Sequence, residues 1–234
     1  MSEGISAPVA SDELMSSVEA PASTQHGSVP WWTIGESMAS LFIHAVFVVS
    51  GLAALVYQVV WQRALMTIYG SNIESVAMVV SAFLVGLGIG SIVGGEISKR
   101  NVPLVLLFST AELLIGAYGV ISLDLFHWVS TYTLRAGTLE TGLLAFALVF
   151  VPTLLMGSTL PLLVAYRVKS TGHVGKSVSW LYFVNTLGGG LGAFLATFTL
   201  LRLHGMAGSI RAAALLNVIA AAIVLGVYIL RKRQ

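Results

Sequence analysis

"SGLAALVYQVVWQRAL" (residues 50–65) begins as an uninterrupted apolar run and closes with Tyr57, Gln58, Trp61, Gln62 and Arg63 packed into seven residues. An apolar helix ending in amphipathic rings resembles a membrane helix meeting the water interface, where Tyr and Trp prefer to sit. Arg63, just beyond, can extend its head to water. One reading is therefore an interfacial anchor built from Tyr57 and Trp61. Gln58 and Gln62 are four apart and share a helical face, which leaves a second reading open: a polar rim leading to a cavity between helices.

Composition agrees with a membrane setting. Of 234 residues, 56% are hydrophobic and 9% charged, against about 25% charged in a soluble domain. Most of the surface must therefore face something other than water. The 24 glycines are an excess usual where membrane helices pack closely. The absence of Cys excludes disulfides, thiolate metal ligands and Cys nucleophiles. A net charge of +2 is too small to point to nucleic acid, and the scattered histidines show no metal-ligand spacing. No metal or cofactor is expected. The lipid bilayer is the first partner.

Residues 1–38 are rich in Ser, Ala and Pro and carry Asp12, Glu13, Glu19 and Glu36 without Lys or Arg. Too little apolar surface is available there to offset chain entropy, so a disordered acidic tail is expected. Six apolar runs follow, at about 39–60, 73–94, 103–123, 140–166, 180–201 and 207–230, each near the roughly 20 residues that cross a bilayer core. The fourth contains Pro152 and Pro161, which predicts a kink or break. Lys99, Arg100, Arg167, Lys169, Lys176, Arg231, Lys232 and Arg233 then fall on one side, and Arg63, Arg135, Arg202 and Arg211 on the other. That asymmetry predicts two cytoplasmic termini in a cell inner (plasma) membrane. The expected fold is all-α: residues 39–234 as a polytopic bundle of six transmembrane helices. Three-helix units can repeat with inverted orientation, and the glycines of the second helix would then correspond to those of the fifth.

Those glycines are regularly spaced. Gly86, Gly90 and Gly94 in the second helix, and Gly188 and Gly192 beside Asn185 in the fifth, give smooth stripes for close helix packing. "LGGGLGA" is no nucleotide fingerprint, since that motif needs a strand before it and a soluble βαβ unit around it.

Glu112 lies near the middle of the third span, on the face of Ser109, Gly116 and Gly119. An ionisable side chain at that depth is costly, and it should point into the bundle. There it can serve as a neutral, structural hydrogen-bond donor or as a functional acid. At similar depth lie Asn217, the Pro152–Thr153 region, Ser50 and Gly51. These groups could satisfy one another, or bind a small polar or cationic solute. Gln58 and Asn185 complete the candidate polar set.

"SGLAALVYQVVWQRAL", "AFLVGLGIGSIVGG" (82–95), "PTLLMGSTLPLL" (152–163) and "LYFVNTLGGGLGAFLATFTLLRLHG" (181–205) resemble, in that order, the membrane domain of the fused multi-pass spermidine synthase-like family. The resemblance spans about 43–217. It implies multi-pass helices that in the family accompany a cytoplasmic aminopropyltransferase-like domain. It also implies a Glu where this chain has Gln58. No such soluble domain occurs within these 234 residues, so the expectation is not an enzyme. It is a non-catalytic membrane module that holds or senses something for a cytoplasmic partner, such as a separate aminopropyltransferase-like protein. The alternative is a transporter of a small solute, by family analogy a polyamine-like cation, with a homodimer supplying twelve helices.

Overall fold

The computed structural model describes residues 31–69, 73–133, 137–171 and 174–232. They form α1 (Trp31–Tyr69), α2 (Ile73–Ser98), α3 (Leu104–Thr133), α4 (Thr138–Thr171), α5 (Val174–Leu195) and α6 (Leu201–Lys232), with a π turn, Ala196–Leu200, joining the last two. No strand occurs among the described residues. The fold is all-helical.

Among the described residues, five stretches are long and apolar enough to cross a membrane: Leu41–Thr67, Val76–Ser98, Leu104–Thr133, Leu139–Lys169 and Val178–Leu230. The first and third outrun the expected spans. α1 also begins at Trp31, ahead of the boundary expected after residue 38, while the rest of that tail, residues 1–30, lies outside the described residues. The last stretch has 53 residues, roughly 80 Å at about 1.5 Å per residue, far more than a bilayer core of about 30 Å. It takes in two expected spans, because the π turn lies within the first of them and only the break at Gly205 separates it from the second. The helical path is interrupted at Gly205, whose φ of 64° and ψ of −170° suit only a residue without a Cβ.

Of the kink or break expected in α4, the break does not occur. Pro152 and Pro161 both lie inside a continuous helix. Pro152 removes the N–H that would bond the Leu148 carbonyl, and the Tyr118 hydroxyl of α3 donates to that oxygen instead. A neighbour thus satisfies the freed group, as membrane helices require.

Packing follows the glycine stripes. On α2, Gly86 meets Thr153, Gly90 meets Leu154 and Gly94 meets Ser158, so α2 and α4 run the same way. On α5, Gly188 meets Val48 and Gly192 meets Leu52, so α1 and α5 are also parallel. α3 and α6 run in opposite directions: the Ser109 hydroxyl donates to the Ala221 carbonyl at 3.3 Å, and Gly116 abuts Ala214. The α1·α5 and α2·α4 pairs touch each other sparsely, and the α3·α6 pair bridges them. Exposed apolar side chains such as Leu84, Ile92, Leu143 and Leu203 cover the outside, the surface a hydrocarbon solvent calls for.

The stripes make an unequal prediction. A Cβ at Gly90 or Gly192 would overlap the Leu154 or Leu52 carbonyl oxygen, whereas Gly88 and Gly190 face open space. Gly90→Val and Gly192→Val should each sharply reduce the monodisperse fraction in size-exclusion chromatography. Gly88→Ala and Gly190→Ala should leave it unchanged.

Candidate functional site

The centre of the bundle is organised by Glu112. It is 0% exposed, turned inward by the small face of α3 on which Gly116 and Gly119 let α6 and α1 approach. Ser50 of α1 donates to Glu112 Oε1 at 2.6 Å, and Asn217 of α6 donates through Nδ2 to Oε2 at 2.6 Å. The Tyr57 hydroxyl donates to Asn217 Oδ1 at 3.0 Å. Four side chains from three helices thus form one chain, and each donor points toward the carboxyl group. Among the described residues no cationic side chain pairs with Glu112; the recorded ion pair, Lys99 with Glu96, lies at the exposed end of α2.

Below this chain α1 presents the rings that closed the opening stretch. Tyr57 and Trp61 are both 0% exposed. Neither is an interfacial anchor. Tyr57 packs against Gly119, where a Cβ would collide with the ring. Trp61 stacks on Tyr57 at 5.1 Å and meets Tyr118 and Phe126 edge-on. Its indole N–H donates to Ser122 Oγ at 2.8 Å. Buried Tyr and Trp need such partners, and their presence allows the rings to leave the interface. The reason is length: α1 continues to Tyr69, so these positions lie within the span.

Beside the network lies a cavity of about 210 Å³. Ser50 and Asn217 line it, while Glu112 stands one hydrogen bond behind them. Asn185 reaches it from α5, next to Gly51 of α1. Phe83 of α2, Ile115 of α3 and Met156 of α4 supply apolar wall. A cavity mostly apolar with a few convergent polar groups is the usual form of a small-molecule site.

The structure therefore unites part of the expected set. Glu112, Asn217 and Ser50 are directly bonded, and Asn185 shares the cavity with the last two. Thr153 is not among the cavity-lining residues: its hydroxyl bonds the Val149 and Phe150 carbonyls of its own helix, and it packs on Gly86. Gln58 is half-buried and does not line the cavity. Gly86, Gly90, Gly94, Gly188 and Gly192 all serve helix contacts. Sequence reasoning missed Tyr57 as a partner of Asn217. Its helical register with Ser50, seven residues earlier and nearly two turns away, was the available signal. No group of three or more His, Asp or Glu side chains suited to a metal occurs among the described residues.

No family model, no curated protein and no solved structure matches the chain. The geometry carries the functional argument.

If Glu112 and Asn217 act as one unit, Glu112→Ala and Asn217→Ala should each destabilise the protein by about 1–3 kcal/mol, since each leaves buried groups unpaired. The double variant should lose less than the summed effects by about 0.5 kcal/mol or more. Reversible unfolding in mixed micelles measures all three.

Proposed function

We propose that this chain is a multi-pass membrane carrier of a small polar solute, with the solute held in the central cavity between two related halves. The observation that carries the reading is a shared step of 102 residues. It takes Gly86 to Gly188, Gly90 to Gly192, Val48 to Phe150 and Leu52 to Leu154, so the contacts of α2 with α4 reappear as those of α5 with α1. The same step relates cavity-lining residues: Ala54 to Met156, Leu55 to Gly157, Phe83 to Asn185 and Ile115 to Asn217. The cavity thus lies where a pseudo-two-fold axis between the halves would run.

The helix directions support six crossings, with α5 and α6 doubling back at Gly205. α5 runs parallel to α1, and α6 antiparallel to α3. Three-helix halves are then inverted relative to each other, the arrangement in which carriers alternate their access by rocking one unit against another. The tightly seated α1·α5 and α2·α4 pairs are suited to move as units because little joins them directly. Lys99 and Arg100 follow α2 on the side where Arg167 and Lys169 lie near the end of its parallel neighbour α4, which supports a cytoplasmic placement of that side. The same asymmetry supports two cytoplasmic termini, and an inner membrane is part of the proposal.

A cavity with convergent polar groups on the pseudo-axis ranks carriage above holding a cytoplasmic partner, because a docking scaffold has no need of one. The resemblance to spermidine synthase-like membrane domains is compatible with either role.

The chain has no Cys, so single cysteines can be read without background. Ser50→Cys and Asn185→Cys should react with a membrane-impermeant thiol reagent supplied from either side, in separate experiments on oriented vesicles. Reaction from one side only would replace the carrier with a static binding module.

A further inference from the structure

We propose that the cavity takes a single-headed amine: one ammonium group on a compact apolar body. This rests on the reading of the cavity as a solute site. The argument begins with hydrogens. Ser50 has given its hydroxyl hydrogen to Glu112, and Asn217 has turned its amide N–H toward the same carboxyl group. Thr159, also on the wall, has given its hydrogen to the Met156 carbonyl at 2.7 Å. Ser50 and Thr159 can still offer a ligand only oxygen lone pairs, which ask for a donor, while Asn217 keeps one amide N–H beside the oxygen that Tyr57 already bonds. Asn185 makes no hydrogen bond among the described residues, and its amide oxygen adds a further acceptor beside Gly51.

These acceptors are unevenly distributed. At matched positions of the two halves, Asn185 stands opposite Phe83 and Asn217 opposite Ile115. Ser50 shares Glu112 with Asn217 and adjoins Gly51, which touches Asn185, so these three collect at one end. Glu112 lies directly behind that end and favours positive charge. Away from that end, among Phe83, Ile115, Leu87 and Met156, the cavity has only the neutral hydroxyls of Thr159, Ser91 and Tyr182 and no second carboxylate among its lining residues. An ammonium has three N–H donors to satisfy. A second ammonium placed there would find neutral hydroxyls but no counter-charge, and burying a charge without one is costly.

The test uses four molecules with one ring: cyclohexylmethylamine, cyclohexylmethanol, cyclohexanecarboxylate and bis(aminomethyl)cyclohexane. Each is titrated calorimetrically into the full chain in nanodiscs, with empty nanodiscs as the blank. The amine should bind at least about tenfold more tightly than the alcohol or the diamine, a difference of about 1.4 kcal/mol, and the acid should not bind. Asn185→Leu should weaken the amine by a similar factor, and Phe83→Asn should narrow the gap between amine and diamine. Equal binding of the alcohol, the acid or the diamine overturns the assignment, as does binding by none of the four. Two-sided thiol labelling is independent of these outcomes, so the carrier can fail or stand separately.

Discussion

A carboxyl group cannot stand unaccompanied in the middle of a hydrocarbon layer, and Glu112 is the residue around which this bundle must close. Its two oxygens take hydrogen bonds from α1 and α6, helices distant from it in sequence. Neither bond can form unless α1, α3 and α6 meet at a single depth. Dispersion alone would hold apolar helices together with little preference for register, because lipid tails are as apolar as leucine. A buried polar chain removes that freedom: a slip of one turn leaves a carboxyl, an amide and a phenol without partners. The glycines beside it are the other half of the requirement. Gly116 and Gly119 bring α6 and Tyr57 close enough for the chain to connect.

Away from α3 the packing relies on backbone contact. In the α1·α5 and α2·α4 pairs, glycines seat against carbonyl oxygens of the neighbouring helix, where side chains would hold the axes apart. Such pairs are closely fitted and have little room to slide. The cavity lies where one pair faces the other, the joint at which the fold has the least direct contact. Closely fitted units around a sparse joint are what the proposed change of access would rest on.

Much of this was legible in the sequence. Composition pointed to a membrane, hydropathy located the first four spans and the long apolar stretch that holds the last two expected ones, and the spacing of Gly86, Gly90 and Gly94 identified a packing face before any contact was known. Glu112 and Asn217 could be matched because depth along a helix is readable at about 1.5 Å per residue. Other features were hidden for identifiable reasons. Tyr57 and Trp61 resembled interfacial rings because hydropathy alone ends the first span near residue 60, whereas α1 continues to Tyr69. The intact course of α4 depends on Tyr118, thirty residues from the carbonyl that it satisfies. Thr153 lay at the right depth, but its hydroxyl is turned to its own helix, a rotamer choice that depth cannot reveal. The step of 102 residues is faint in the sequence because it conserves places of contact more than residue types.

The most direct measurement concerns the alignment of α3 with α6, on which the Glu112 network depends. Ser109 and Ala221 are neighbours in that alignment, while Leu113 points outward. In this cysteine-free chain, the double variant Ser109→Cys/Ala221→Cys should form an intramolecular disulfide under mild oxidation in the membrane, and Leu113→Cys/Ala221→Cys should not. Cross-linking of the second pair in preference to the first would mean that Glu112 faces lipid, contradicting the account at its centre.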